Sequence, residues 1–232
     1  MGEWIEVAAR DGSGTFRGYL AAPAGGNGPG IVVVQEIFGV NDGIRQMCDD
    51  WAAQGFAAFA PDLFWRIEPG IELTDKSEAE WQRAFDLYNK FDIDKGIEDI
   101  EASIRAVRAR PECTGKVGVV GFCLGGLLAY LAATRTDSDA TVSYYGVGIQ
   151  DRLNESHAIA NPLMLHIAKQ DRFVPPEAQA KIHDELRSNR HVTLHDYDAD
   201  HAFARVDGTS RVEPCAREAN ARTLDFFRQH LG

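Results

Sequence analysis

Residues 117–126 read VGVVGFCLGG, and the cysteine near their centre is the foremost candidate for covalent chemistry in the chain. An apolar, strand-like run ends in Gly121-Phe122-Cys123-Leu124-Gly125 and passes directly into the helical LLAYLAA. A sharp strand-to-helix turn of this G-x-C-x-G form lifts its central side chain into an exposed, strained position, and glycines must flank it where a Cβ would strike neighbouring backbone. The helix N-terminus behind Cys123 favours negative charge on the sulfur, and the Leu124 amide falls where an oxyanion would form. A cysteine serving only as a small hydrophobic filler would need none of these surroundings.

A thiol nucleophile needs a base, and the base needs an acid to orient it. In an open parallel sheet such groups lie on loops after the carboxyl ends of strands. Asp171 follows the strand-like PLMLHIAKQ and His201 follows VTLHDYDAD, so both satisfy that placement. The order Cys, Asp, His along the chain is that of the α/β-hydrolases. Six other histidines compete: His166 and His195 fall within strand-like runs, His183 and His230 within helical ones, and His157 and His191 elsewhere. Glu36 is the other anomaly, a carboxylate at the end of the buried-looking IVVVQ, on the side of the sheet expected to carry the elbow. An exposed loop glutamate is the plainer reading of the same position.

These groups need a scaffold, and the apolar pattern supplies one. Strand-like runs recur at Trp4–Ala8, Thr15–Leu20, Ile31–Val34, Phe56–Phe59, Val117–Val120, Thr141–Tyr145, Leu163–Ala168 and Val192–Tyr197. From Ile31 onward they alternate with helix-period stretches. One carries Ile97, Ile100, Ile104 and Val107 on a single face behind an expected Asp94 cap, and another opens on the capping box Ser77-x-x-Glu80. Alternating strands and helices imply an α/β fold, a mostly parallel sheet of about eight strands with helices on both faces, in one domain spanning residues 1–232. The first two strands, joined by Asp11-Gly-Ser-Gly14, are expected to form an antiparallel hairpin at the sheet edge.

Composition narrows the function further. Twenty-four Lys and Arg against thirty-five Asp and Glu give a formal charge of −11, which disfavours phosphate backbones and anionic lipid as partners. No apolar run approaches the ~20 residues of a membrane span, and the start MGEWIEVAARDG lacks a signal-peptide pattern, so a cytoplasmic location is expected. The four cysteines, Cys48, Cys113, Cys123 and Cys215, show no C-x-x-C spacing, which argues against a metal site or a disulfide framework.

Taken together, QEIFGVN (35–41), PDLF (61–64), GFCLGG (121–126), YYGVG (144–148), QDRFVP (170–175) and HAFAR (201–205) resemble the dienelactone hydrolase, or carboxymethylenebutenolidase, family over nearly the whole chain. The resemblance implies a monomeric α/β-hydrolase without cofactor or metal, acting on a small lactone or ester with no nucleic-acid or membrane partner. It implies the opening of an unsaturated lactone in the breakdown of chlorinated catechols. Cys123, His201 and Asp171 would form the triad, with the Ile37 and Leu124 amides holding the oxyanion. Glu36 would face the neutral thiol of the resting enzyme until substrate displaces it. Tyr145 and Phe38, within the matching motifs, would line the pocket.

The sequence departs from the family where the substrate's carboxylate should bind. One of the family's two arginines matches Arg205; the other position is Trp81, at the head of the stripe Trp81, Phe85, Tyr88. Arg83 lies about 200° round the helix from that stripe and should face away. Core packing of an amphipathic helix explains the same spacing. Ala202 replaces the serine after the histidine, and Ala60 the cysteine before PDL. These changes leave the reaction intact and bear on the substrate, so a neutral or aromatic ester or lactone stands as the alternative. A non-catalytic binding protein on the same fold is the third reading.

Overall fold

The structure, a computed structural model, describes residues 2–232. Eight strands form one sheet: β1 (Glu3–Ala8), β2 (Thr15–Ala21), β3 (Gly28–Val34), β4 (Ala57–Pro61), β5 (Cys113–Phe122), β6 (Ala140–Tyr144), β7 (Leu163–Ala168) and β8 (Val192–Tyr197), in the spatial order β1-β2-β4-β3-β5-β6-β7-β8. β1 and β2 form the expected edge hairpin, and β2 also runs antiparallel to β4. From β4 to β8 every pairing is parallel, the arrangement that buried, unalternating runs such as IVVV and VGVV require. β3 begins at Gly28, earlier than its apolar run suggests, which leaves only residues 22–27 as the connecting loop.

Among the described residues there are six α-helices, α1 (Asp42–Ala53), α2 (Glu78–Lys90), α3 (Ile93–Arg108), α4 (Leu124–Arg135), α5 (Pro176–Leu186) and α6 (Glu213–Leu231), of which α1, α3, α4 and α6 pack directly on the strands. Gly30 pairs with Val117 and Ile31 with Gly118, so Gly30 and Gly118 face opposite sides of the sheet. A Cβ on Gly30 would come within 2.6 Å of Val107 in α3, and one on Gly118 within 2.6 Å of Phe227 in α6. Both faces are therefore covered, and the small residues let the helices sit close. Trp51 of α1 meets Phe227 edge-on at 5.6 Å, which places α1 beside α6.

The Ser77 capping box forms as expected: Ser77 Oγ accepts from the Glu80 amide at 3.3 Å and donates to its carboxylate at 2.8 Å. The cap of α3 is Asp92 instead of Asp94; its carboxylate accepts from the Lys95 amide, while Asp94 lies within the first turn and pairs with Arg135. Extended backbone at Asp92 lets its short side chain reach back to the third helical amide, which Asp94 is too far inside the helix to do. Among the described residues no helix is long and apolar enough to cross a membrane.

Candidate active site

The candidate side chains stand where the parallel strands end. Glu36 and Ile37 follow β3, Cys123 follows β5, Tyr145 follows β6, Asp171 follows β7 and His201 follows β8. That is the crevice rule of open α/β sheets, and here parallel neighbours bring together residues far apart in sequence.

Cys123 holds the elbow in the left-handed region, with φ 59° and ψ −114°. A Cβ at Gly121 would collide with the Gly125 carbonyl oxygen, and one at Gly125 would lie 2.5 Å from the carbonyl oxygens of Val34 and Gln35. The glycines are thus demanded by backbone packed on backbone. Among the described residues four non-glycine positions have positive φ, and three of them cluster at this site: Cys123, Tyr145 at 38° and Ala202 at 62°. Each such residue costs on the order of 1–3 kcal/mol, strain that the surrounding fold holds in place.

His201 Nδ1 shares a hydrogen bond of 2.7 Å with Asp171 Oδ2, both groups being buried. The other Asp171 oxygen accepts from the Phe173 amide at 2.8 Å, which fixes the carboxylate's direction. Burial opposes charge on the His201 ring, but the Cys123 sulfur and the Asp171 carboxylate outweigh it, and the ring is raised to about 10. The charged form of the ring is therefore favoured. Phe173 meets the ring edge-on at 4.8 Å and Tyr145 at 5.2 Å. Among the described residues no backbone acceptor takes the amides of Ile37 or Leu124.

Cys123 and His201 open onto a cavity of about 220 Å³ walled by Ile37, Trp81, Phe85, Tyr88, Val147, Phe173 and Arg205. The aromatic stripe of α2 is therefore a cavity wall as well as a packing surface. Trp81 stacks on Phe85 at 5.6 Å and meets Phe38 edge-on at 5.0 Å. Burial, helped by nearby Cys123 and Asp151, pushes the Tyr88 phenol up. Arg83 pairs with Glu68 on the surface and faces away, as its position on the helix requires.

Two expected pocket residues lie behind the wall. Phe38 is buried beneath the Arg205 guanidinium, 4.9 Å from its carbon, and does not line this cavity. Tyr145 is also buried off the cavity, because its strained turn directs the ring under His201, and its hydroxyl has no hydrogen-bond partner among the described residues. Burial, then the Glu36 carboxylate, push that phenol far up. Glu36 is likewise set back: both its oxygens accept from Arg205, at 2.5 Å from Nε and 3.1 Å from Nη2. Its carboxylate thus faces the guanidinium, where the sequence reading turned it to the thiol.

Sequence reasoning missed Phe173, Val147 and Asp75. Asp75 Oδ2 accepts from Arg205 Nη1 at 2.8 Å. No motif signals it, since it lies in the loop ahead of the capping box. The fork of Arg205 is thus shared between two carboxylates, both nearly inaccessible to solvent. Among the described residues no group of three or more His, Cys, Asp or Glu is placed to hold a metal ion.

Residues 16–231 match the dienelactone hydrolase family. Carboxymethylenebutenolidases of Pseudomonas putida and Pseudomonas sp. (strain P51) are 40% and 38% identical, over 97% and 98% of this chain and 95% of each relative. A protein of Azospirillum brasilense, whose name assigns it provisionally to the same activity, is 48% identical over 98% of this chain and 99% of its own. A dienelactone hydrolase-like promiscuous phosphotriesterase from metagenomic libraries superposes with a TM-score of 0.79 at 23% identity, covering 100% of this chain and 99% of that one, and so shares the α/β-hydrolase fold. With the match running through the cysteine elbow, the Asp171 turn and the His201 loop, this chain belongs to the dienelactone hydrolase family, a family of hydrolases.

Proposed function

We propose that the protein is a cysteine-dependent hydrolase that opens an unsaturated lactone of the dienelactone (carboxymethylenebutenolide) kind, in the breakdown of catechols and chlorinated aromatics. The observation that carries this reading is the strained cysteine elbow facing a buried His201–Asp171 pair at the mouth of an aromatic cavity. Cys123 Sγ attacks the lactone carbonyl, the oxyanion lies between the Ile37 and Leu124 amides, and the ring C–O bond breaks to give a thioester and a tethered enolate. The enolate or His201 takes a proton from water, which attacks the thioester carbon. The carboxylate product forms and the thiol is regenerated. Glu36, paired with Arg205 at the back of the site, is placed to exchange partners when substrate arrives, and through that exchange to govern the charge on Cys123. In this reading the enzyme works as a cytoplasmic monomer without metal or cofactor, on a small molecule and with no nucleic-acid or membrane partner.

A second reading keeps this chemistry and changes the substrate to an uncharged aromatic ester or lactone. The observation favouring it is the cavity wall itself, with Trp81, Phe85 and Tyr88 on one side and an arginine already held by carboxylates on the other. Hydrolysis of carboxymethylenebutenolide and of an uncharged aryl ester, by the wild type and by Cys123→Ala, tests both. Turnover of the lactone that vanishes in the variant supports the first reading, and turnover of the aryl ester alone supports the second. Turnover of neither by the wild type would favour a binding protein on this fold and sink both.

A further inference from the structure

Arg205 reaches the cavity wall with its charge already matched. Its Nε–Nη2 edge donates to both oxygens of Glu36, the fork-to-carboxylate geometry that leaves that edge full, and Nη1 donates to Asp75. The Asp75 side chain is 3% exposed, and its Oδ2 accepts three times: from Arg205, and at 3.1 Å from both the amide and the hydroxyl of Thr209. Burial would raise this carboxyl, but the Thr209 amide and the guanidinium more than offset it and hold it below the usual carboxylate range. The loop closes tightly over the pair, since a Cβ on Gly208 would come within 2.8 Å of the Arg205 side chain.

The same residue also fixes the aromatic wall. The Asp75 carbonyl oxygen accepts from Trp81 Nε1 at 3.1 Å, and the indole it holds rests edge-on against Phe38, the ring beneath Arg205. A substrate carboxylate arriving at Arg205 therefore meets one guanidinium between two buried carboxylates. Three of the five N–H donors of Arg205 are already taken, so that carboxylate either competes with Glu36 and Asp75 for them or binds the remaining donors of a cluster in which two carboxylates outnumber one guanidinium. An uncharged aromatic group meets Trp81, Phe85 and Tyr88 at no such cost.

We propose that Asp75 is a specificity-determining residue: by holding Arg205 in a standing ion pair, it makes the cavity select lactones and esters whose end remote from the scissile carbonyl is uncharged and aromatic or apolar over those carrying a carboxylate there. The inference rests on the hydrolase reading above and chooses between its two substrate classes.

The test uses carboxymethylenebutenolide and its primary amide, which differ only in that charge. The wild type is expected to process the amide at least as well as the acid. Asp75→Asn keeps an acceptor for Thr209 and removes the charge, and it should raise the acid-to-amide ratio of kcat/KM about tenfold, the factor that corresponds to ~1.4 kcal/mol. A residue that merely held the loop would lower both substrates together and leave the ratio where it was, and that result overturns the proposal. Should the variant fold poorly, the wild type alone decides through inhibition by benzoate and benzamide: benzamide binding as tightly or more tightly supports the proposal, and benzoate binding about tenfold more tightly overturns it. Absence of turnover with both lactones would defeat the hydrolase reading, while calorimetric binding of benzoate and benzamide, which needs no turnover, would still report the charge preference of the cavity.

Discussion

Two arginines in this molecule are bound in nearly the same way. Arg66 gives Nε and Nη2 to Asp99 and Nη1 to Asp11, over the ring of Trp65 at 4.5 Å. Arg205 gives Nε and Nη2 to Glu36 and Nη1 to Asp75, over the ring of Phe38 at 4.9 Å. The difference lies in what else each one faces. Arg66 ties the β1–β2 turn to α3, with Ser13 and the Trp65 indole completing the cluster. Arg205 forms part of a cavity wall shared with Cys123 and His201. Ion-pair geometry by itself does not distinguish a strut from a recognition element; the neighbouring open volume does.

That contrast can be broken from either side. Cys123→Ala sets the scale: under the proposed mechanism turnover should fall about 10³-fold or more, with the thermal midpoint little changed, since a nucleophile, base and orienting acid act as a unit. Asp99→Ala should cost about 1.5–3 kcal/mol in urea unfolding, because it takes the main partner from the half-buried Arg66 guanidinium and the acceptor from the Trp65 indole, while kcat/KM of the folded fraction stays within about threefold of the wild type. A large kinetic loss in that variant would erase the distinction between the two arginines. Glu36→Gln should show the reverse, a fall in kcat of about 10²-fold with folding retained, the size of one lost proton-transfer contribution, as the proposed control of the charge on Cys123 requires. Unaltered turnover there would make the Arg205 cluster as structural as that of Arg66.

The smallest effect is a titration. His201 is raised to about 10 from an ordinary value of 6.5, so its charged form is bound more tightly in the folded state. The stability it contributes is fully present below pH 6.5 and is lost as pH rises through about 10. A histidine NMR titration should find this ring titrating near 10 in the wild type and lower in Cys123→Ala, where the facing sulfur is gone. An unchanged value in the variant would show that Asp171 alone sets it.

Much of this was legible in the sequence because it depends on local rules. The eight strands announce themselves as short Val- and Ile-rich runs, and the elbow announces itself because only glycine fits where Gly121 and Gly125 meet backbone. Asp171 and His201 could be chosen from many candidates because each follows a strand-like run, and parallel strands deliver their following loops to one end of the sheet. Tyr145 and Phe38 were misplaced for the converse reason. Their motifs fix position along the chain, but the φ of 38° at Tyr145 and the packing of Phe38 beneath Arg205 decide which way the rings point.

The sequence by itself determined the alternating α/β architecture, the cysteine at the strand-to-helix turn and the chain order of its partners, since periodicity and steric exclusion act over a few residues. Only the tertiary structure decided that the α2 stripe walls a cavity, that Glu36 faces Arg205, and that Asp75 completes the cluster. Asp75 and Arg205 are 130 residues apart, and nothing local to either specifies the other. Their meeting depends on two loops converging at one end of the sheet, where low solvent exposure makes an unpaired charge costly enough that each carboxylate must find the guanidinium.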